Sequence, residues 1–419
     1  MNDAPINLLR EATAEAYATP LEDIQLAMPH RFKNDTMWPF FTRIRAEDPV
    51  HYCRDSEFGP YWSITKYKDI MAVDTNHQAF SSDSGVGGIT IRDQAEDFKL
   101  PMFIAMDPPV HDAQRMVVSP IVAPGNLAKL EGIIRERVCT ILDALPRNET
   151  FDFVDRVSIE LTTQMLATLF DFPWEERRKL TRWSDVTTAA PGMGVIDTEE
   201  QRRKELLECG AYFMGLWNQR LNSNVVGSDL ISMLAHSPVT RNMGQMEFLG
   251  NILLLIVGGN DTTRNSLTGG LLAFSQNPDQ YEKLRANPAL LDSAIPEIIR
   301  WQTPLAHMRR TCTVDTEVGG KLIKKGDRVV MWYVSGNRDD EAIENPDAFI
   351  IDRKRPRQHL SFGFGIHRCV GNRLAEMQIK IAWEEILKRD LKIEVLAEPE
   401  RVHSTFIKGY LSMPVRING

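Results

Sequence analysis

The sequence predicts a mainly α-helical chain with small β-sheets. From Asp107 to about Pro278 one helical pattern follows another, and the strand-like runs are short and bounded by turn residues. No internal repeat, low-complexity tract or Gly/Ser linker offers a place to cut the chain. A length of 419 residues would by itself suggest two or three domains. With no boundary in sight, 1–419 reads as one domain.

The elements follow in order. From about residue 10 to 50 the pattern is amphipathic and helical. Val50–Cys53 and Tyr61–Ile64 read as two short strands around a Gly59-Pro60 turn. Residues 81–106, rich in Ser, Gly and Asp, read as a long irregular loop of the kind that is often functional. Asp107 before Pro108 and Pro109 predicts a helix start, with Asp107 as the capping side chain. Asn242 with Gln245 resembles a capping box. The helix it opens runs through Phe248, Ile252, Leu255 and Phe274 and should stop before Pro278. At ~1.5 Å per residue such a helix spans roughly 50 Å, so other elements must bury it on several sides. Strands return near Thr311–Val318, near Arg328–Tyr333 and close to the C-terminus.

Composition excludes several function classes. A chain 43% hydrophobic and 25% charged is an ordinary globular protein, and a net charge of −8 argues against a nucleic-acid partner. The five cysteines (Cys53, Cys139, Cys209, Cys312 and Cys369) are scattered, odd in number and without a C-x-x-C pair. They read as reduced thiols in a reducing compartment. The first residues lack the basic-then-apolar order of a signal peptide. The longest apolar run, Ile252 to Val257, is far short of the ~20 residues of a membrane span. A cytoplasmic protein with no membrane anchor is expected.

The most informative segment is Phe362-Gly363-Phe364-Gly365-Ile366-His367-Arg368-Cys369-Val370-Gly371, followed by a helix from Asn372 to about Lys388. Its glycines allow sharp turns and a close approach of backbone to a flat ligand. A cysteine at a helix N-terminus has its thiolate favoured by free N–H groups, and Phe362 can keep water from the sulfur. The plain alternative is a buried cysteine in a glycine-rich loop. A zinc site is another, since His367 and Cys369 are both possible ligands, although no further ligands stand nearby.

This segment resembles the haem-binding loop of the cytochrome P-450 superfamily, and further pieces fit in the same order along nearly the whole chain. The resemblance implies that fold, with a haem b (iron protoporphyrin IX) between the long central helix and the cysteine-loop helix, and Cys369 as the iron's axial ligand. Phe362 and Gly371 would complete the loop. A thiolate ligand pushes electron density onto the iron and favours O–O cleavage. Glu297 and Arg300 lie three apart on a helix; alone the pair is uninformative, but the family buries it, completed by an arginine for which Arg353 is the matching position. Gly258-Gly259-Asn260-Asp261-Thr262-Thr263 falls in mid-helix and alone could be a tolerated defect. It resembles the family's oxygen-binding groove, with Asp261 and Thr262 as the acid–alcohol pair that delivers protons to dioxygen. Peroxide-using relatives lack this pair. His111 and Arg115 share a helix face, and with Arg310 and His367 they match positions that bind the haem propionates.

The substrate depends on the pocket. By position its lining should come from Ile89, Ile91, Leu100 and Met102 in the 81–106 loop, from Leu254, Val257 and Gly258 in the long helix, and from Leu305, Ala306, Phe406 and Ile407. Any one of these could instead be core. The stretches 100–107, 118–124, 304–310 and 359–362 resemble the soluble bacterial alkane hydroxylases of the superfamily. That resemblance implies oxidation of medium-chain alkanes or fatty acids at the terminal carbon. A terpene or sterol side chain is the alternative substrate; a non-catalytic haem sensor is a remote one, which would not need Asp261 and Thr262. The chain has no flavin or iron–sulfur signature, so electrons from NAD(P)H should arrive through a ferredoxin reductase and a ferredoxin. The basic run Arg353-Lys354-Arg355-Pro356-Arg357 with Arg368 is the expected docking surface on an otherwise acidic monomer.

Overall fold

The computed structural model describes residues 4–223 and 227–418. Residues 1–3, part of the N-terminal segment read for a leader, lie outside the described residues. The architecture is mainly helical with small sheets. Its axis is the helix Gln245–Gln276, 32 residues or ~48 Å long. Apolar side chains occur all round this helix, so every side needs a neighbour. Helices Glu160–Phe170, Arg178–Thr188, Glu199–Leu221, Leu291–Gln302 and Asn372–Lys388 supply them. Two glycines of this helix mark where neighbours press closest. A Cβ at Gly250 would overlap the Pro101 carbonyl, and one at Gly269 would overlap the Gln302 side chain.

The main sheet has five strands, in the order Val50–Cys53, Tyr61–Ile64, Arg328–Met331, Met308–Cys312, Phe80–Ser81. Only the Tyr61–Ile64 and Arg328–Met331 pair is parallel. Strand alternation divides its faces. Val330 joins a core with Phe32, Phe40, Phe41 and Trp332, while Val329 and Met331 join another with Ile70, Val73 and Leu360. Among the described residues, three smaller sheets accompany it. Among the described residues no single helix is long and apolar enough to cross a membrane. One bent pair, Val110–Val122 with Pro124–Asp143, matches by length and composition, but its Val118, Leu127, Leu130 and Ile134 are buried in the helical core.

Several expectations are met residue for residue: both N-terminal strands, and the helix Asn372–Lys388 after the cysteine loop. Others need correction. Asp107 caps no helix. Its helix starts at Val110, while the Asp107 carboxylate accepts from Ser81 Oγ and from the Ser82 N–H at 3.0 Å. The capping box at Asn242 is absent too, because the long helix begins at Gln245 with Gly244 at the cap position and no side-chain bond there. The run Thr311–Val318 is split between Met308–Cys312 and Thr316–Val318, in different sheets. The strand expected to reach Tyr333 stops at Met331, and Tyr333 opens a short helix.

Candidate active site

Cys369 stands on a loop shaped by glycine. Gly363 and Gly365 both adopt φ of 64°, which disfavours any side chain there. The resulting turn lets the Cys369 N–H donate to the Phe362 carbonyl at 2.8 Å. Asp74, on helix Tyr67–Thr75, pins the loop by accepting from the Phe364 N–H at 2.8 Å. The cysteine is three residues short of the helix, so it is not inside the first turn. Burial pushes its thiol up, opposed by the Gly371 N–H and by the charges of Arg115 and Arg368. The sulfur has protein around it, and the residue's exposure is toward an internal cavity of about 800 Å³.

Around that cavity stand the predicted cations. Arg310, almost fully buried, donates to Asp74 at 2.9 Å and to the Arg309 carbonyl at 2.8 Å. Asp74 also accepts from the Tyr333 hydroxyl at 3.0 Å. Burial pushes the Asp74 carboxyl up and the Arg310 charge holds it down. His111 and His367 stack edge to face with ring centroids 4.3 Å apart. Nδ1 of His111 faces Asp112 at 2.7 Å, while its Nε2 and both ring nitrogens of His367 are buried without a partner. Burial lowers the basicity of both rings. Arg115 donates to the Arg368 carbonyl at 2.5 Å. Arg310, Arg115, His111, His367, Phe362 and Gly371 all line the cavity beside Cys369.

The mid-helix motif divides. Thr262 lines the cavity, and its hydroxyl donates to the Gly258 carbonyl at 3.1 Å. Asp261, expected beside it, is fully buried and does not line the cavity. Successive helix residues point ~100° apart, so the two side chains diverge. Asp261 accepts from Ser184 Oγ at 2.9 Å and Thr188 Oγ1 at 3.4 Å, and pairs with Arg264 at 3.1 Å. Burial raises the Asp261 carboxyl, and Arg264 opposes this. Arg264 also reaches Asp185 at 2.6 Å, whose side chain is partly exposed. Thr188 does line the cavity.

Of the predicted pocket residues, Ile89, Ile91, Leu100, Met102, Leu254, Val257, Gly258, Leu305, Phe406 and Ile407 line the cavity. Ala306 does not. It is fully buried and packs in the cluster of Trp332 and Val334, because Leu305 bridges Ile407 and the next residue turns the other way. Sequence reasoning missed the wall from Met165, Leu166 and Leu169, and the segment from Thr187 to Pro191. Gly259 carried a signal for the former: a Cβ there would crowd the Leu166 side chain. Among the described residues no cluster of three or more His, Cys, Asp or Glu could hold a metal ion, so the zinc alternative gains no ligands.

The triad predicted to hold the fold is assembled. The Glu297 carboxylate accepts from Arg300 at 2.7 and 2.8 Å, from Arg353 at 2.9 Å and from the Ile350 N–H at 2.8 Å. Arg353 is thereby removed from the basic run. Lys354, Arg355 and Arg368 are exposed, and Arg357 pairs with Glu376 at 2.8 Å.

Comparison with known proteins agrees with this arrangement. The family model described as Cytochrome P450 matches residues 218–407. Linalool 8-monooxygenase of Pseudomonas putida is 34% identical over 407 residues, 94% of this chain and 99% of that protein. A methyl-branched lipid omega-hydroxylase of Mycobacterium tuberculosis is 29% identical, over 94% of this chain and 95% of that one. The solved structure of Cytochrome P450-153 from Novosphingobium aromaticivorans superposes with a TM-score of 0.88 at 45% identity, over 94% of this chain and 99% of that one. The chain belongs to the cytochrome P450 family and is a monooxygenase, an enzyme working with haem and dioxygen. The residues present fit that group. A thiol and two pairs of cationic or imidazole side chains border one cavity, and three of the imidazole nitrogens are buried without acceptors or donors to meet.

Proposed function

We propose that the Cys369 thiolate would hold the iron of a haem b and that the enzyme hydroxylates the terminal carbon of medium-chain alkanes or fatty acids. The observation that carries the reading is the cavity: it opens on Cys369 and continues between largely apolar walls. The 1–419 chain acts as one catalytic domain in the cytoplasm. Electrons come from NAD(P)H through ferredoxin reductase and ferredoxin, which docks at Arg355, Lys354 and Arg368 beside the cysteine loop. Their exposure supports this, and Arg357 contributes less because Glu376 already pairs with it.

Each residue has a defined task. His111, Arg115, Arg310 and His367 hold the two carboxylates of the cofactor through charge-assisted hydrogen bonds. Phe362 and Gly371 fit closely around the sulfur and exclude water from it. When bound, the haem would supply the dioxygen-activating and C–H-oxidising chemistry. Asp261 supplies the carboxyl of the proton path, and burial pushes it up while Arg264 holds it down. The Asp185–Arg264–Asp261 chain links that carboxyl to the surface, and Thr188 Oγ1 links it to the cavity. Thr262 presents its hydroxyl to the cavity, where it hands on the proton. Ile91, Leu100, Leu254 and Val257 orient the chain, so selectivity for a methyl end is geometric.

A terpene or sterol side chain is the second reading, favoured by the likeness to linalool 8-monooxygenase. One experiment separates the readings. The reduced protein under carbon monoxide should show a band at about 450 nm. Titration of the oxidised protein should move the Soret band most with linear medium-chain ligands. A response to terpenes or steroids alone would install the second reading, and loss of the band only in Cys369→Ala would identify the ligand.

A further inference from the structure

Besides the cations described with Cys369, the largely apolar cavity carries a second group of charges. Arg92, Asp93, Glu199 and Arg202 line it, alongside His403. Asp93 is already taken, since Arg309 and Arg328 both donate to its carboxylate. The two remaining cations are less fully matched. Arg202, on helix Glu199–Leu221, is only 19% exposed at its side chain. One of its terminal nitrogens donates to the Ala189 carbonyl. Its Nε–H is buried and has no acceptor, and the nearest carboxylate, Glu199, stands 3.6 Å away, outside hydrogen-bond geometry. Arg92 pairs with Glu57 at 3.1 Å, but both side chains are more than half exposed, and such a pair exchanges partners at little cost. Arg92 is also near enough to Arg202 for its charge to act on it.

A guanidinium that borders a largely apolar cavity and meets its carboxylate partner at 3.6 Å without a hydrogen bond is a loosely matched ion pair. A carboxylate entering with the ligand can meet this cation more closely than Glu199 does. We propose that Arg202, assisted by Arg92, is the recognition site for the carboxylate of a linear fatty acid whose methyl end lies toward Cys369. This rests on the reading of the enzyme as a terminal hydroxylase of linear substrates, and within it selects the acid over the alkane. Glu199 acts in the opposite sense: its negative charge beside Arg202 weakens an incoming carboxylate and keeps the cation paired when the cavity is empty.

The test uses the haem-loaded enzyme and the Soret titration. The ligands are dodecanoate, methyl dodecanoate and dodecane, at a pH where the acid is ionised. In the parent, dodecanoate should bind more tightly than its methyl ester, which has the same length without the charge. Arg202→Gln should weaken dodecanoate about tenfold, the loss of one partly screened charge-assisted bond, and leave ester and alkane within about twofold. Glu199→Gln should tighten dodecanoate alone; it guards against a misfolded arginine variant, because a damaged site does not gain affinity for one ligand. Equal weakening of all three ligands by Arg202→Gln, or no effect of either substitution on the acid, would overturn the anchor while leaving the terminal hydroxylase standing. If none of the linear ligands moved the Soret band of the parent, the hydroxylase reading and the anchor would fall together.

Discussion

Removing the Asp74 carboxylate should destabilise the protein far more than an average substitution. Asp74 is 2% exposed and accepts from Arg310 at 2.9 Å, from the Tyr333 hydroxyl at 3.0 Å and from the Phe364 N–H at 2.8 Å. Asp74→Ala leaves the buried Arg310 with only the Arg309 carbonyl, and breaking one side of a buried pair costs about 3–5 kcal/mol. The freed hydroxyl and N–H add to this at ~1 kcal/mol or more each, though not additively. The assay is urea unfolding of the haem-free protein, parent against variant, with matched slopes. A loss below about 1 kcal/mol, the value of an exposed pair, would refute the claim that this cluster holds the loop. The haem-loaded forms add a second comparison. If Arg310 also serves a cofactor carboxylate, that carboxylate replaces Asp74 as its partner, and the loss should shrink by at least about 1 kcal/mol. An equal loss in both forms would remove Arg310 from the proposed cofactor site.

Other outcomes follow from the same geometry. His307 and His359 are held neutral by burial, with pKa values lowered to about 4 and about 3 from an ordinary 6.5. The unfolded chain takes up their protons first, so their contribution is complete above pH ~6.5 and is lost as pH falls toward 4 and then 3. Each should cost up to ~1.4 kcal/mol per pH unit in that window, and His307→Asn should make the acid limb of stability against pH shallower by up to that amount; an unchanged slope would show that the histidine titrates normally. Thr262→Ala should lower product formed per NADH consumed while substrate binding stays within about twofold, because the lost hydroxyl faces the cavity but carries no apolar contact area. Unaltered coupling would exclude Thr262 from proton delivery. Glu297→Gln should cost ~3–5 kcal/mol in folding, with Arg300 at 1% exposure left short of a counter-charge. Substrate dissociation constants should hold below the melting range; a change there instead of in stability would assign the triad a different job.

What the sequence made legible was local in origin. The cysteine loop could be read because glycines at a sharp turn leave a mark in the chain itself, and Gly363 and Gly365 do sit at positive φ. The buried triad was readable only through the family resemblance, because Glu297 and Arg300 three apart say nothing by themselves. The helix starts expected at Asp107 and Asn242 were both placed too early, and at Asp107 the reason is that a capping side chain has competitors. Asp107 serves Ser81 and Ser82, some 25 residues away, and nothing near it in sequence announces them. Ala306 was assigned to the pocket from its neighbour Leu305, yet adjacent residues in extended chain face opposite ways. The Met165–Leu169 wall was invisible because an apolar helix face reads the same whether it meets another helix or an empty space. Arg202 was passed over for a similar reason: in the charged first turns of its helix nothing in the sequence distinguishes Arg202, which borders the cavity, from Arg203, which does not.

The long helix has a consequence beyond its length. The Pro101 segment rests on its backbone at Gly250, the Leu166 wall at Gly259 and the Gln302 helix end at Gly269. It therefore works as a common datum from which separate parts of the catalytic chamber are measured, as a machinist measures from one milled edge. Errors in such a system do not accumulate from part to part, because each wall is set independently against the same rod. Evolution can then rework one wall to suit a new ligand while the others keep their places.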